Sequence, residues 1–201
     1  ASKINAKKIN FMAKHGRGLI CLALTQEKVK KLKLPLMSLI NKSRTQTAFT
    51  VSIEAKKGIS TGISAYDRAK TIKVAIKNSS GSRDIVSPGH VFPLVSKNGG
   101  VLERAGHTEA SVDISKLAKL NPSAVICEVM NEDGTMARYN DLVPFSKKHN
   151  LKIAKIEDLI SYRLKNEKFI KMISNRKINI KRFGNYNLKV FKNKLDGEEH
   201  Y

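Results

Sequence analysis

Apolar and polar positions switch between two periods along this chain, and the switches mark its elements. Residues 1 to 18 carry Ile4, Ile9, Phe11 and Met12 at helical spacing and end at Gly16-Arg17-Gly18. Leu19 to Thr25 reads as a buried strand, and Gln26 to Leu32 as a short helix halted near Pro35. Thr47 to Ile53 has the alternation and β-branched content of a second strand, with a turn at Lys57-Gly58 after it. Ser64-Ala65-Tyr66-Asp67 places an acid three residues after a capping serine. A helix is therefore predicted over 65–77, with Ala69, Ile72 and Ile76 as its apolar stripe. Ser87-Pro88-Gly89 is a break before a strand at Val91 to Val95. From Thr108, placed as N-cap, Ala110, Ile114, Leu117 and Ala118 recur at helical intervals until Asn121-Pro122. Ala124 to Met130 alternates as a strand that puts Ala124, Ile126, Glu128 and Met130 on one face. A hairpin-type turn at Asn131-Glu132-Asp133-Gly134, a helix around 141–149, a strand at 151–156 and a helix over 157–171 complete the pattern.

Composition changes this picture at the carboxyl end. Residues 164 to 201 hold ten Lys and Arg against four Asp and Glu, so 164–180 reads as a basic linker ahead of a new alternating strand at Asn187 to Leu195. Elsewhere the 41% hydrophobic content suits one good-sized core and argues against disorder. The longest apolar run, Leu19 to Leu24, has six residues, far short of the roughly 20 that span a bilayer. No segment shows the order of a secretory signal, and a cytoplasmic location is expected. Cys21 and Cys127 lie too far apart for a C-x-x-C metal pair; they read as buried reduced thiols, or Cys21 as lining a site.

The net charge of +21 asks first for a nucleic-acid partner. Yet the basic residues comprise 29 Lys and only 9 Arg, scattered among Asn and Ile, and no reader motif accompanies them. A lysine-rich solvated surface that also attracts a phosphorylated small substrate is the simpler reading, with a basic nucleic-acid-binding protein as the alternative.

Three places could carry chemistry. Glu128, read between Ile126 and Met130, must be paired, metal-linked or proton-carrying if it is buried there. His90, just past Pro88-Gly89, is either a structural turn histidine or a catalytic one. Arg104, His107 and Thr108 precede a helix whose free N–H groups suit an anion. Arg grips phosphate with paired hydrogen bonds, a hydroxyl adds a donor, and His107 could ligate a divalent metal beside it.

Four stretches, "HGRGLICLALT", "TAFTVSIEAKKGISTGISAYDRAKTI", "SPGHVFPLVSKNGGVLERAGHTEASVD" and "AVICEVMNEDGTMAR", occur in an order and spacing that resembles 3,4-dihydroxy-2-butanone 4-phosphate synthase. The resemblance covers residues 1 to 163. The tail "RFGNYNLKVFKNKLDGEEHY" resembles the opening of GTP cyclohydrolase II, giving an expected division into a synthase domain at 1–163, a linker at 164–180 and the start of a cyclohydrolase domain at 181–201, as in bifunctional riboflavin-biosynthesis proteins.

The resemblance implies an α+β fold, a mixed sheet covered by helices. Periodicity alone would suggest a doubly wound sheet, although the short turn at 131–134 argues for some antiparallel pairing. It also implies a lyase that turns ribulose 5-phosphate into 3,4-dihydroxy-2-butanone 4-phosphate and formate, with Mg2+ or Mn2+ as cofactor. The family works as homodimers with active sites near the subunit boundary; no membrane and no specific nucleic acid is implied. By the family's motif Arg104, Ala105, Gly106, His107 and Thr108 would hold the substrate, with Arg104 and Thr108 at its phosphate and His107 on the metal. Glu128 would contact substrate and shuttle protons, His90 would be the other catalytic residue, and Cys21 and Asp67 would line the pocket. Gln46 departs from the family's frequent glycine. The family's acidic loop, which supplies the other metal ligand, belongs upstream of Ala1. These 201 residues by themselves are therefore expected not to release formate from ribulose 5-phosphate at the family's rate, nor, with no cysteine after Cys127, to hydrolyse GTP.

Overall fold

The computed structural model describes residues 1–195 and 197–201 and divides them into two compact units, 1–156 and 157–201. In the first unit the chain runs α1 (Ala6–Phe11), β1 (Cys21–Leu24), α2 (Gln26–Leu32), β2 (Ile53–Ala55), α3 (Ala65–Ile76), β3 (Ile85–Val95), α4 (His107–Leu117), β4 (Ser123–Ile126) and α5 (Tyr139–His149). Its sheet has the order β2-β3-β1-β4. β1 pairs parallel with β3 and antiparallel with β4, while β2 pairs antiparallel with β3. The fold is thus α+β with a mixed sheet, and the doubly wound alternative fails because two of three pairings are antiparallel.

β1 is central because it is apolar on both faces. Ile20, Leu22 and Leu24 join one buried cluster with Ile9 of α1, Val29 and Leu32 of α2 and Ile72 of α3, while α4 packs on β4 and β1. The local signals hold where side chains cap. Thr25 Oγ1 accepts from Lys28 N at 3.2 Å to start α2, and Ser64 Oγ accepts from Asp67 N at 3.0 Å to start α3.

Several expected elements change extent. Of the strand expected over Thr47–Ile53 only Ile53 falls in β2, which continues to Ala55, while residues 48–50 are held to β3 irregularly through Val95 N to Ala48 O at 2.9 Å and Thr50 N to Pro93 O at 3.0 Å. β3 runs through Ser87-Pro88-Gly89 rather than starting after it; a β-bulge at Ile53/Glu54 absorbs the irregularity. The strand expected over 124–130 ends at Ile126. Residues 151–155 form no strand: Leu151 and Ile153 are exposed, and no described strand pairs with them. The hairpin turn is as expected, with Gly134 N donating to Asn131 O at 3.1 Å and Asn131 N to Thr135 O at 2.8 Å.

The second unit holds α6 (Ile156–Asn166), which stops short of the expected residue 171, and an antiparallel sheet of β5 (Ile170–Ile180), β6 (Gly184–Asn193) and β7 (Glu199–His200). The stretch read as a linker therefore contains a strand, because its Ile170 to Ile180 pairs residue by residue with the strand after it. Asp196, within the expected 181–201 segment, lies outside the described residues.

Asp67, expected to line a pocket, instead braces the loop ahead of α3. Its buried carboxylate accepts from Ser60 Oγ at 2.9 Å, Ser60 N at 3.3 Å and Gly62 N at 3.1 Å. Burial pushes its pKa up, but these bonds outweigh that and hold it below the usual aspartate range. A depressed folded pKa contributes stability that is present above the unfolded value of about 3.9 and lost as pH falls through the folded one. Asp67→Asn is thus expected to lower the melting temperature at pH 7 and to flatten its decline below about pH 4; a variant with the wild-type acid limb would contradict this role.

Candidate active site

The register of β1 sends polar side chains to both of its ends. At the starting end, Cys21 faces Phe92 and Ile126 across the two ladders, so Leu19 and Glu128 lie just beyond β1 and β4 there and His90 lies level with them within β3. Glu128 is exposed, not seated in an apolar strand face as its alternation with Ile126 and Met130 suggested, because the ladder has already ended. Its Oε2 accepts from Leu19 N at 2.9 Å. The approach is close enough to demand glycine beside it: a Cβ at Gly18 would lie 2.6 Å from the Glu128 carbonyl oxygen and 2.7 Å from Oε2.

His90 and Glu128 flank β1 from opposite neighbours, two strand spacings apart, or about 10 Å. His90 Nδ1 bonds the carboxylate of Glu54, which pairs with Val86 just past the shift in register at which residues 87–90 of β3 bulge from β2. Glu54 is seated by Gly62, at φ 83°, where any Cβ would overlap its carboxylate. The side chain of Glu54 is 17% exposed and that of His90 45%, so the pair has a packed member and an accessible one. Cys21 is buried, and burial, then Glu128 and Cys127, push its thiol up to about 12. It is a neutral packing group there, not a thiolate.

At the finishing end, Ser96 N donates to Leu24 O at 2.9 Å and the chain turns into the loop before α4. Gly106, not Thr108, is the N-cap of α4; His107 is its exposed first residue and Thr108 is buried in its first turn. The inward face of α4 also differs from the apolar stripe. Ile114 and Leu117 are exposed, whereas Glu109, Val112 and Asp113 are buried. The two acids bind the loop's own backbone: Glu109 Oε1 accepts from Lys97 N at 3.0 Å, and Asp113 Oδ2 from Val101 N at 2.8 Å. Glu109 Oε2 also holds Arg104 Nη1 at 2.6 Å, while Arg104 Nη2 reaches Thr45 O at 2.8 Å and Thr47 Oγ1 at 3.2 Å. Nε and one Nη1 hydrogen of Arg104 are left for a further acceptor, next to the N–H groups of the first turn of α4.

The expected site residues thus fall into two clusters, His90 and Glu128 at one end of β1 and Arg104 to Thr108 at the other. Leu19 to Leu24 spans roughly 16 Å at strand spacing. Glu54 and Glu109 were missed. Glu109 had a visible signal, since it lies four residues before Asp113 on one helical face; Glu54 had none, because only the bulge directs it to His90. His107 offers one exposed imidazole to a metal, but no group of three or more His, Cys, Asp or Glu among the described residues could hold an ion. Nor is any described helix long and apolar enough to cross a membrane.

Residues 1–162 match the family model of 3,4-dihydroxy-2-butanone 4-phosphate synthase. The chain is 53% identical to a riboflavin biosynthesis protein RibBA of Aquifex aeolicus, over 99% of this chain and 49% of that protein. Among solved structures it is similar to RibBX of A. baumannii, a two-domain 3,4-dihydroxy-2-butanone 4-phosphate synthase, with TM-score 0.87 and 45% identity over 98% of this chain and 58% of that one. It is also similar to a synthase solved with two magnesium ions, with TM-score 0.78 and 37% identity over 82% of each chain. The chain spans about half the length of the curated relatives it matches.

The Arg104–Glu109 pair bears on any mutational reading of this end. Truncating Arg104 leaves a fully buried carboxylate without its cation. Arg104→Ala is expected to cost about 3 kcal/mol, the lower end for breaking a buried pair, since Arg104 is partly exposed. Arg104→Ala combined with Glu109→Gln should regain part of that in denaturant unfolding; equal losses in the single and double variants would contradict the pairing.

Proposed function

The chain belongs to the 3,4-dihydroxy-2-butanone 4-phosphate synthase family, and from that premise we propose that it converts ribulose 5-phosphate into 3,4-dihydroxy-2-butanone 4-phosphate and formate. The observation that carries this reading is the held carboxylate of Glu128. One oxygen is fixed by Leu19 N and the other has no partner among the described residues, in an exposed position where a base can remove a proton next to a substrate carbonyl. Glu54 takes His90 Nδ1, which fixes the ring and leaves Nε2 as the nitrogen for proton transfer in the later dehydration and rearrangement. Arg104 and the first turn of α4, with Thr108, suit the phosphate. A divalent cation, magnesium or manganese, would take His107 as one ligand and supply Lewis acidity at the developing enediolate.

The two clusters of one chain lie farther apart than a five-carbon sugar phosphate is long. We therefore take the working form to be a homodimer in the cytoplasm, each site joining the His90 and Glu128 end of one protomer to the Arg104 to Thr108 end of its partner.

In the intact protein with magnesium, Glu128→Gln and His90→Ala are each expected to lower kcat for formate release by at least about 100-fold. Glu54→Gln should lower kcat with little change in KM. Wild-type turnover in either of the first two variants would overturn the assignment of that residue.

A further inference from the structure

A cavity lies against the turn that follows α1, on the segment that leads into Leu19. It encloses about 270 Å³ between Lys14, His15 and Arg17 on one side and Phe145, Lys148 and His149 of α5 on the other, with Glu132 at its rim. Its backbone is unusual at two consecutive places. Met12–Gly16 forms a π-helical turn, a rare conformation that recurs at functional sites, and Arg17 ends it as a left-handed C-cap at φ 66°, its N donating to Met12 O at 3.2 Å.

The rings of His15, His149 and Phe145 line it, and Phe11 packs against both histidines from outside the lining. His15 and His149 lie 4.6 Å apart by centroid, with Phe11 4.9 Å from His15 and Phe145 4.7 Å from His149. The wall is made of charge of one sign. Glu132 is the lone carboxylate, and it is already bonded to Arg17 Nη2 at 3.0 Å, whose Nη1 is on Met130 O at 3.0 Å. Lys14 and Lys148 have no carboxylate partner among the described residues. Burial lowers the pKa of His15, and the charged neighbours that add to this, His149, Lys14, Lys148 and Arg17, are all basic.

Two ammonium groups of like charge, Lys14 and Lys148, stand at one cavity with two imidazoles that can donate hydrogen bonds, and a bound anion would answer both. We propose that this cavity binds a phosphate group, free or as a monoester, between Lys14, Lys148, His15 and His149. A dianion matches the uncompensated charge, and the lining rings give a monoester's organic part a surface to stack on. This inference uses none of the side chains assigned to the lyase reading, although Arg17 and Glu132 of the cavity lie on the segments that lead to Leu19 and away from Glu128.

The test follows the histidine Cε1–H signals by NMR while inorganic phosphate is added at ionic strength held constant with chloride, and again with phenyl phosphate. Saturable shifts of both His15 and His149, with the His15 pKa rising on binding, are expected. Tighter binding of phenyl phosphate assigns a monoester, and equal binding assigns the phosphate group alone. Lys14→Gln with Lys148→Gln should weaken binding by tenfold or more while formate release is unchanged. No saturable shift, or shifts that chloride alone reproduces or that survive in the double variant, would overturn the site.

Discussion

The first unit depends on one short strand that is paired on both sides in opposite senses. Cys21 to Leu24 lies parallel to Phe92–Val95 and antiparallel to Ser123–Ile126, and its alternate side chains enter the main core. Because the register is fixed by burial on both faces, a slip of one residue would turn Leu22 and Leu24 out of the cluster. That constraint is what brings Leu19 N to the Glu128 carboxylate and sets His90 level with it on the other side.

The opposite end is built by a different device. α4 turns two acids inward and uses them as acceptors for the backbone of the loop before it, so the loop carrying Arg104 is fastened by the helix it leads into. Burying Glu109 is tolerable because Arg104 and Lys97 N share its two oxygens. An arginine that pairs a buried carboxylate and also lies in the proposed phosphate site has a mixed mutational signature, which is why stability and turnover must be separated there.

Much of this was legible in the residues. The cap at Ser64, the helix that starts at Gln26, the buried strand after Gly18 and the turn at Asn131–Gly134 are local signals, and local hydrogen bonds decide them. The motifs around Arg104–Thr108, His90 and Glu128 were legible as a family resemblance. What escaped depends on partners distant in sequence. Alternation placed Glu128 in an apolar strand face, but whether a strand continues is decided by its neighbour's edge. Periodicity placed Ile114 and Leu117 inward on α4, but the loop's unpaired N–H groups drew Glu109 and Asp113 instead. The stretch at 170–180 looked like a linker because its strand character rests on pairing with residues yet to come along the chain.

The central claim is that the two clusters, separated along β1, form one site only across a pair of protomers. Mixing the His107→Ala and Glu128→Gln proteins, each inactive alone, and letting subunits exchange tests it most directly. Random pairing makes half the dimers mixed, each with one intact site, so formate release should recover to about a quarter of the wild-type rate. A mixture that stays as inactive as its two components would show that both residues serve the same chain's site and would contradict the account.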